Sequence, residues 1–412
     1  MDSTNFRDLS LAEVDTETVL RHADEQAKQR RYEDFFICDV DGHHFEISSW
    51  KQICQYIEDP VLRDQALYQG YGAGGIASAT GQGGYQNLMG RVPRTSGGYP
   101  ADKVPPTPHR DVTQTKRWMD ALGIDQVCLF PTPMLTLGLT PRAEIETALA
   151  VAYNRWLVEN VLAVEPRIVS TLYLPLNDPD ATYKMVKEFI GKKGVSGFTI
   201  VSPRYKAIYD NAYVKTYALM EEAGLPLVFH GAYAWGGDQS LQLCNRFLAV
   251  HALGFAWFNI LHCTNWLVNG MPERFPKLKV AWVESGLAWV PFLMQRLDNE
   301  WMMRSSEVPL LKRRPSDYMR EMFYSTQPME MVNNREALEL TFKMINAETQ
   351  LLYSSDYPHW DMDLPSTIYD LPFINEQAKR NILGLNAKRF FNLEPVISPL
   401  KAQRLAARNA AE

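Results

Sequence analysis

The sequence predicts an α/β fold: a (β/α)8, TIM-like barrel with an N-terminal helical extension and a long Gly-rich insertion. Three observations carry this. Short, almost wholly apolar runs recur along the 412 residues, as parallel strands buried on both faces require. Helix-length segments separate them, and that alternation specifies a parallel sheet wrapped by helices. Several of the runs end in an acidic residue or a histidine, and a barrel collects its active-site groups at such strand ends. A doubly wound open sheet is the other arrangement with this alternation. No internal repeat or low-complexity linker divides the chain. One domain is therefore expected over 1–412, with its core at about 35–392.

In chain order, 16–33 is charged and helix-prone, with Asp15 or Thr16 placed to cap it. This helix is expected on the outside of the body, where it can meet a second subunit. An apolar run at 35–38 opens the first strand and leads into Asp39-Val40-Asp41-Gly42-His43-His44-Phe45-Glu46. A helical segment at 48–66 breaks at Pro60. Residues 67–110 are rich in Gly, Ser, Thr and Pro; no Lys-Ser/Thr follows the glycines and no strand-loop-helix context surrounds them, which argues against a phosphate loop. A long irregular insertion is expected there, and such loops tend to be binding loops. Strands follow at 126–131, 168–175, 194–201, 226–230, 279–285, 322–326 and 351–356. Helices follow at 111–123, 141–163, 178–191, 210–223, 239–270 (interrupted near Gly254), 286–304, 330–346 and 373–392. The tail from 395 onward reads as peripheral.

Composition bounds the function. At 46% hydrophobic and 22% charged, the chain is ordinary for a globular protein. A net charge of −6 argues against nucleic acid or an anionic membrane surface as partner. No apolar run approaches the ~20 residues of a membrane span. The acidic N-terminus lacks the apolar core of a signal peptide. Five widely spaced cysteines with no CxxC read as reduced core residues of a cytoplasmic protein.

The residues that can carry chemistry are Asp41 and His43 on the first strand, His230 on the fifth, Glu284 on the sixth and Asp356 on the eighth. Polar groups ending apolar strands are costly unless paired or ligating. Alternation on a strand turns Asp39, Asp41 and His43 to one side and His44 to the other, where it packs or hydrogen-bonds. The set mixes nitrogen and oxygen without thiolate, which suits a catalytic divalent ion (zinc, manganese or iron) over a structural zinc. Arg204 and Arg246 fit surface salt bridges better than substrate anchors.

The spacing Asp41-x-His43-x-x-Glu46, the strand-end His230, the stretch Met271-Pro-Glu-Arg-Phe-Pro-Lys-Leu-Lys-Val280, Tyr353-Ser-Ser-Asp-Tyr-Pro-His359 and Asn386-Ala-Lys-Arg-Phe-Phe391 together resemble the amidohydrolase superfamily. The branch they resemble is amidohydrolase type 2, the aminocarboxymuconate-semialdehyde decarboxylase-like metalloenzymes. The resemblance implies one divalent metal held by Asp41, His43, His230 and Asp356. It also implies a hydrolase or non-oxidative decarboxylase acting on a small carboxylated substrate.

The sequence departs from that branch at strand six. Where the branch usually places a catalytic histidine, this chain has Val283-Glu284-Ser285-Gly286. Glu284 is then expected to move protons, or to ligate. His262, on the helix between strands five and six, is a second catalytic candidate. Adding Glu46 as a ligand, with Glu284, His262 and the nearby His359, makes two metals possible. A dinuclear iron or manganese monooxygenase is therefore the second reading. A catalytically silent barrel serving in a homo- or hetero-oligomer is the third.

Overall fold

A computed structural model describes residues 16–70, 109–234, 238–331, 334–359 and 361–410. Eight parallel strands lie in sequence order: β1 Cys38–His44, β2 Gln126–Pro131, β3 Ile168–Tyr173, β4 Val195–Val201, β5 Leu227–His230, β6 Val280–Val283, β7 Phe323–Ser325 and β8 Leu351–Leu352. Residues just past β8 close the ring onto β1. The Val40 amide donates to the Tyr353 carbonyl (2.9 Å), the Asp356 amide to the Asp41 carbonyl and the His43 amide to the Tyr357 carbonyl (both 2.8 Å). The barrel expected from the sequence is the fold, and the open sheet is not.

The strands other than β1 are largely apolar because both faces are covered. Small and medium side chains fill the interior, among them Cys38, Val40, Cys128, Val228 and Ala281. Phe390 and Phe391 seal its lower end: Lys279, just before β6, donates to the Phe390 carbonyl, and the Phe390 ring lies 4.7 Å from that of Phe323. The opposite end, where the strands finish, is left to polar groups.

Four expectations change. Of the apolar run at 35–38 only Cys38 belongs to the first strand, and 35–37 are its approach; the acidic motif itself is the strand. Its register slips between Asp39 and Gly42, so strict alternation fails there. The eighth strand stops at Leu352, four residues short of Asp356. The helix Phe247–Val268 runs through Gly254 without a break; a Cβ there would come within 2.8 Å of the Tyr233 Cβ, so the glycine serves close packing.

Nor is the tail peripheral. The helix Pro399–Asn409 inserts Lys401, whose Nζ reaches Asp125 Oδ2 (2.5 Å) and the Phe35 carbonyl (2.6 Å) beneath β1 and β2. The N-terminal helix Thr16–Gln29 packs Leu20, Ala23 and Ala27 inward. Most of the Gly-rich insertion expected at 67–110 lies outside the described residues. Among the described residues no helix is long and apolar enough to cross a membrane.

Candidate metal centre

Four elements deliver the site. Asp41 and His43 come from the slipped part of β1, and His230 ends β5. Glu284 follows β6, and Asp356 sits in the turn after β8. Asp41 Oδ1 lies 3.0 Å from His230 Nε2 and 3.2 Å from His43 Nε2, and His43 Nε2 lies 3.4 Å from Asp356 Oδ1. Glu284 Oε2 stands 3.4 Å from His230 Nδ1. Asp41, His43, His230 and Glu284 each present a ligand-type atom within 4.8 Å of the others, as do His43, Asp356 and His359. The two groups share His43, so they form one site.

Local hydrogen bonds decide which atoms face inward. His43 Nδ1 donates to the Pro131 carbonyl (3.0 Å), and His230 Nδ1 donates to the Gly231 carbonyl (2.7 Å). Both rings thereby turn an Nε2 lone pair toward the cluster, the tautomer a metal-binding histidine needs. Asp39 does not join them. Its carboxylate accepts from the amides of Asp41 (3.0 Å) and Ser355 (2.9 Å) and from the Ser355 hydroxyl (2.5 Å), stitching β1 to the turn that carries Asp356.

Two of the cluster carboxylates are held in a backbone conformation that disfavours them. Glu284 has φ 53° and Asp356 φ 56°, in the left-handed region where a side chain costs on the order of 1 kcal/mol. Beside Glu284, Gly231 lies so close that a Cβ would fall on the Glu284 carbonyl oxygen.

A cation fits this arrangement. Asp41 Oδ2, His43 Nε2, Glu284 Oε2 and Asp356 Oδ2 are buried and make no hydrogen bond among the described residues. Four such orphans converging from separate strand ends are a cost that a bound ion removes. Nitrogen and carboxylate donors without sulfur suit manganese, zinc or iron. Electrostatics agree. Burial drives the Glu284 and Asp356 carboxyls well above the usual range, and neighbouring carboxylates add to it. Burial also raises Asp41, but the neighbouring imidazoles of His230 and His43 outweigh it and hold that carboxyl low. Burial depresses His43. Burial and charge thus favour the ionised form at Asp41 and the neutral form at Glu284 and Asp356.

The structure does not bring Glu46 or His262 to the cluster. Both Glu46 oxygens are occupied by backbone: Oε2 accepts from the Thr132 amide (3.0 Å) and Oε1 from the Met134 amide (2.7 Å). His262 Nε2 hydrogen-bonds the Ser202 carbonyl (2.8 Å), and its ring stacks on Phe229. With these two engaged elsewhere, the ligands expected for a second metal are not assembled. His44 behaves as expected, bonding Asp111 and Tyr153 (2.9 Å each) on the far side of β1. Arg204 is not at the surface; it is buried against Glu146 (3.3 Å) and the Tyr173 hydroxyl (3.1 Å).

The arrival the sequence underweighted is His359. Its Nδ1 lies 2.6 Å from Asp356 Oδ1 and 3.8 Å from Glu284 Oε1. The available signal was its place three residues after Asp356, across a proline, in a turn short enough to fold back.

The chain resembles known proteins in both sequence and fold. The family model for amidohydrolases matches residues 107–393. The chain is 25% identical over 313 residues to a gamma-resorcylate decarboxylase of Rhizobium sp. (strain MTP-10005), across 73% of this chain and 94% of the relative. It is 22% identical over 276 residues to a 2-amino-3-carboxymuconate-6-semialdehyde decarboxylase of Dictyostelium discoideum, across 66% of this chain and 74% of that one. Among solved structures, a dihydroxybenzoic acid decarboxylase from Polaromonas sp. JS666, with bound manganese and the inhibitor 2-nitroresorcinol, aligns with a TM-score of 0.60 at 17% identity, covering 87% of this chain and 97% of that one. With the barrel in place and more than half of its length matched by that model, the chain belongs to the amidohydrolase family.

Proposed function

We propose that the protein is a metal-dependent, non-oxidative decarboxylase of a small aromatic carboxylate. The observation that carries this is the convergence of four buried, unpartnered donor and acceptor atoms at the strand ends. The decarboxylase relatives support the reaction class over hydrolysis. Asp41, His43, His230 and Asp356 would hold the ion, and manganese is the first choice, since a neighbour of the same fold carries it. When bound, a divalent ion supplies a Lewis acid that fixes and polarises the substrate's oxygens.

The protein's own contribution is a dry wall and a proton. Phe130, whose ring lies 4.5 Å from that of His230, shields the cluster from below. Glu284 is fully enclosed between His230 and His359 and offers a carboxylic acid to the substrate. In the reaction the bond from ring carbon to carboxyl breaks and carbon dioxide leaves. The electron pair stays on the ring carbon, and Glu284 delivers the proton that replaces the carboxyl. Solvent then restores the acid. No oxidant takes part. Five free cysteines fit a reducing, cytoplasmic setting.

The test is anaerobic incubation of manganese-loaded protein with hydroxybenzoates in deuterated water. Carbon dioxide release with one deuterium placed on the ring is expected. Glu284→Gln should keep its manganese and lose turnover by ~10²–10⁴-fold. A requirement for dioxygen, or hydrolysis of esters or amides in place of decarboxylation, overturns the reading. Loss of manganese from Glu284→Gln makes Glu284 a ligand and removes its assigned role.

A further inference from the structure

Glu46 and His359 remain without a task, although both are buried. They are joined through Thr132, at the end of β2. Glu46 accepts the Thr132 and Met134 amides and so fixes the path of the loop that leaves β2. That path puts the Thr132 hydroxyl 3.2 Å from His359 Nε2. The other nitrogen of His359 meets Asp356 Oδ1 at 2.6 Å.

One set of protons satisfies every partner. His43 Nδ1–H goes to the Pro131 carbonyl, 3.0 Å away. Thr132 then donates its hydroxyl proton to His359 Nε2, and its lone pairs face His43 Nδ1 at 3.5 Å. His359 keeps its proton on Nδ1 and donates it to Asp356 Oδ1. His43 and His230 each keep Nε2 turned to the cluster, whereas both nitrogens of His359 are committed. Asp356 is left with Oδ1, which lies 3.4 Å from His43 Nε2, engaged by His359, and with Oδ2 buried and free of a hydrogen bond among the described residues.

We infer that Glu46, Thr132 and His359 form a positioning chain that holds Asp356 with a single oxygen turned to the metal. His359 is thus a support for a ligand and not itself a ligand. It also places an imidazole beside Glu284, at the site where strand six of this chain offers none. Hydrogen-bonded partners behind a metal ligand set its orientation and basicity, and losing one typically weakens metal binding 10–100-fold.

The inference rests on the metal site proposed above, and the experiment separates the two. Manganese affinity is measured by titration calorimetry on full-length wild type, Thr132→Val, Thr132→Ser and Glu46→Gln, with urea unfolding of each metal-free protein alongside. Thr132→Val keeps the shape and removes the hydroxyl. It is expected to weaken manganese binding at least ~10-fold with an unfolding midpoint close to wild type. Thr132→Ser restores the hydroxyl and is expected to return affinity to near wild type. Glu46→Gln, which offers one acceptor oxygen where two are used, is expected to fall on the Val side. Should Glu46→Gln not fold, the Val and Ser pair still decides. Equal affinity in Thr132→Val and wild type, or failure of Ser to restore what Val loses, overturns the chain. A wild type that binds no manganese, zinc or iron overturns the metal site and the chain with it.

Discussion

His262 is the residue whose structural and catalytic roles are most cleanly separated by experiment. Burial holds its imidazole down from an ordinary 6.5 to about 4, partly opposed by its bond to the Ser202 carbonyl. As pH falls through 6.5 the unfolded chain takes up a proton at His262, but the folded chain resists until about 4. Between those values the unfolded state binds more protons, so stability drops as pH drops. The full difference corresponds to about 3 kcal/mol, of which about 2 kcal/mol is lost between about pH 7 and about pH 5. His262→Gln keeps a donor for Ser202 but cannot titrate. It gives up the ring stacked on Phe229, so its stability at neutral pH is expected to fall by about 1 kcal/mol. Urea unfolding of both proteins across this range is the assay. Subtracting the two pH curves removes the carboxylate contributions they share. The variant should lose about 2 kcal/mol less than wild type on going to the lower pH, and turnover at neutral pH should change by less than about tenfold. Parallel pH curves refute the buried neutral imidazole. A fall in turnover of ~10²-fold or more restores His262 as a catalytic group.

Two further perturbations probe the frame around the site. Gly231→Ala drives a methyl onto the Glu284 carbonyl and must displace the acid; turnover is expected to drop ~10²-fold with manganese content intact, and unchanged kinetics would show that the position of Glu284 is not critical. Lys401→Met removes the buried partner of Asp125 and is expected to cost about 3–5 kcal/mol in urea unfolding without altering turnover of the folded protein; a loss below about 1 kcal/mol would return the C-terminal helix to the periphery.

The fold was legible because its determinant is local. Most strands are short, largely apolar runs, and most connections carry helical periodicity, so the order of elements could be read without knowing any contact. Strand ends were read less well. The apolar run at 35–38 looks like a strand, yet pairing with β2 begins only at Cys38 and continues through Asp39 and, past a slip that holds Asp41, through Gly42, His43 and His44. Such polar residues belong in a strand only when the barrel supplies partners on both sides, and those partners are distant in sequence. Asp356 shows the converse. It was read as the last residue of a strand and is a left-handed turn residue beyond it, fixed by the Asp41 carbonyl from across the seam. The tail misled for the same reason: Lys401 looks like a surface lysine until Asp125, Phe35 and Gly123 are brought beneath it.

Within the site, residue type predicted membership but not role. Glu46 and Glu284 are both buried glutamates close to strand ends; the sequence offered Glu284 as acid or ligand and Glu46 as a ligand. What separates them is the neighbouring backbone. Glu46 meets two free amides where the chain leaves β2, and these take one lone pair from each oxygen. Glu284 accepts no such amide among the described residues; its unsatisfied Oε2 faces His230 and its Oε1 faces His359. Free amides at a loop turn a carboxylate into a clamp, whereas their absence leaves it available for chemistry. The same rule sorts the histidines. His43 and His230 each spend one nitrogen on a backbone carbonyl and keep the other, but His359 spends both. Sequence spacing places a donor near a site. The local supply of amides and carbonyls, which depends on how loops from different strands meet, determines which atom remains free to act.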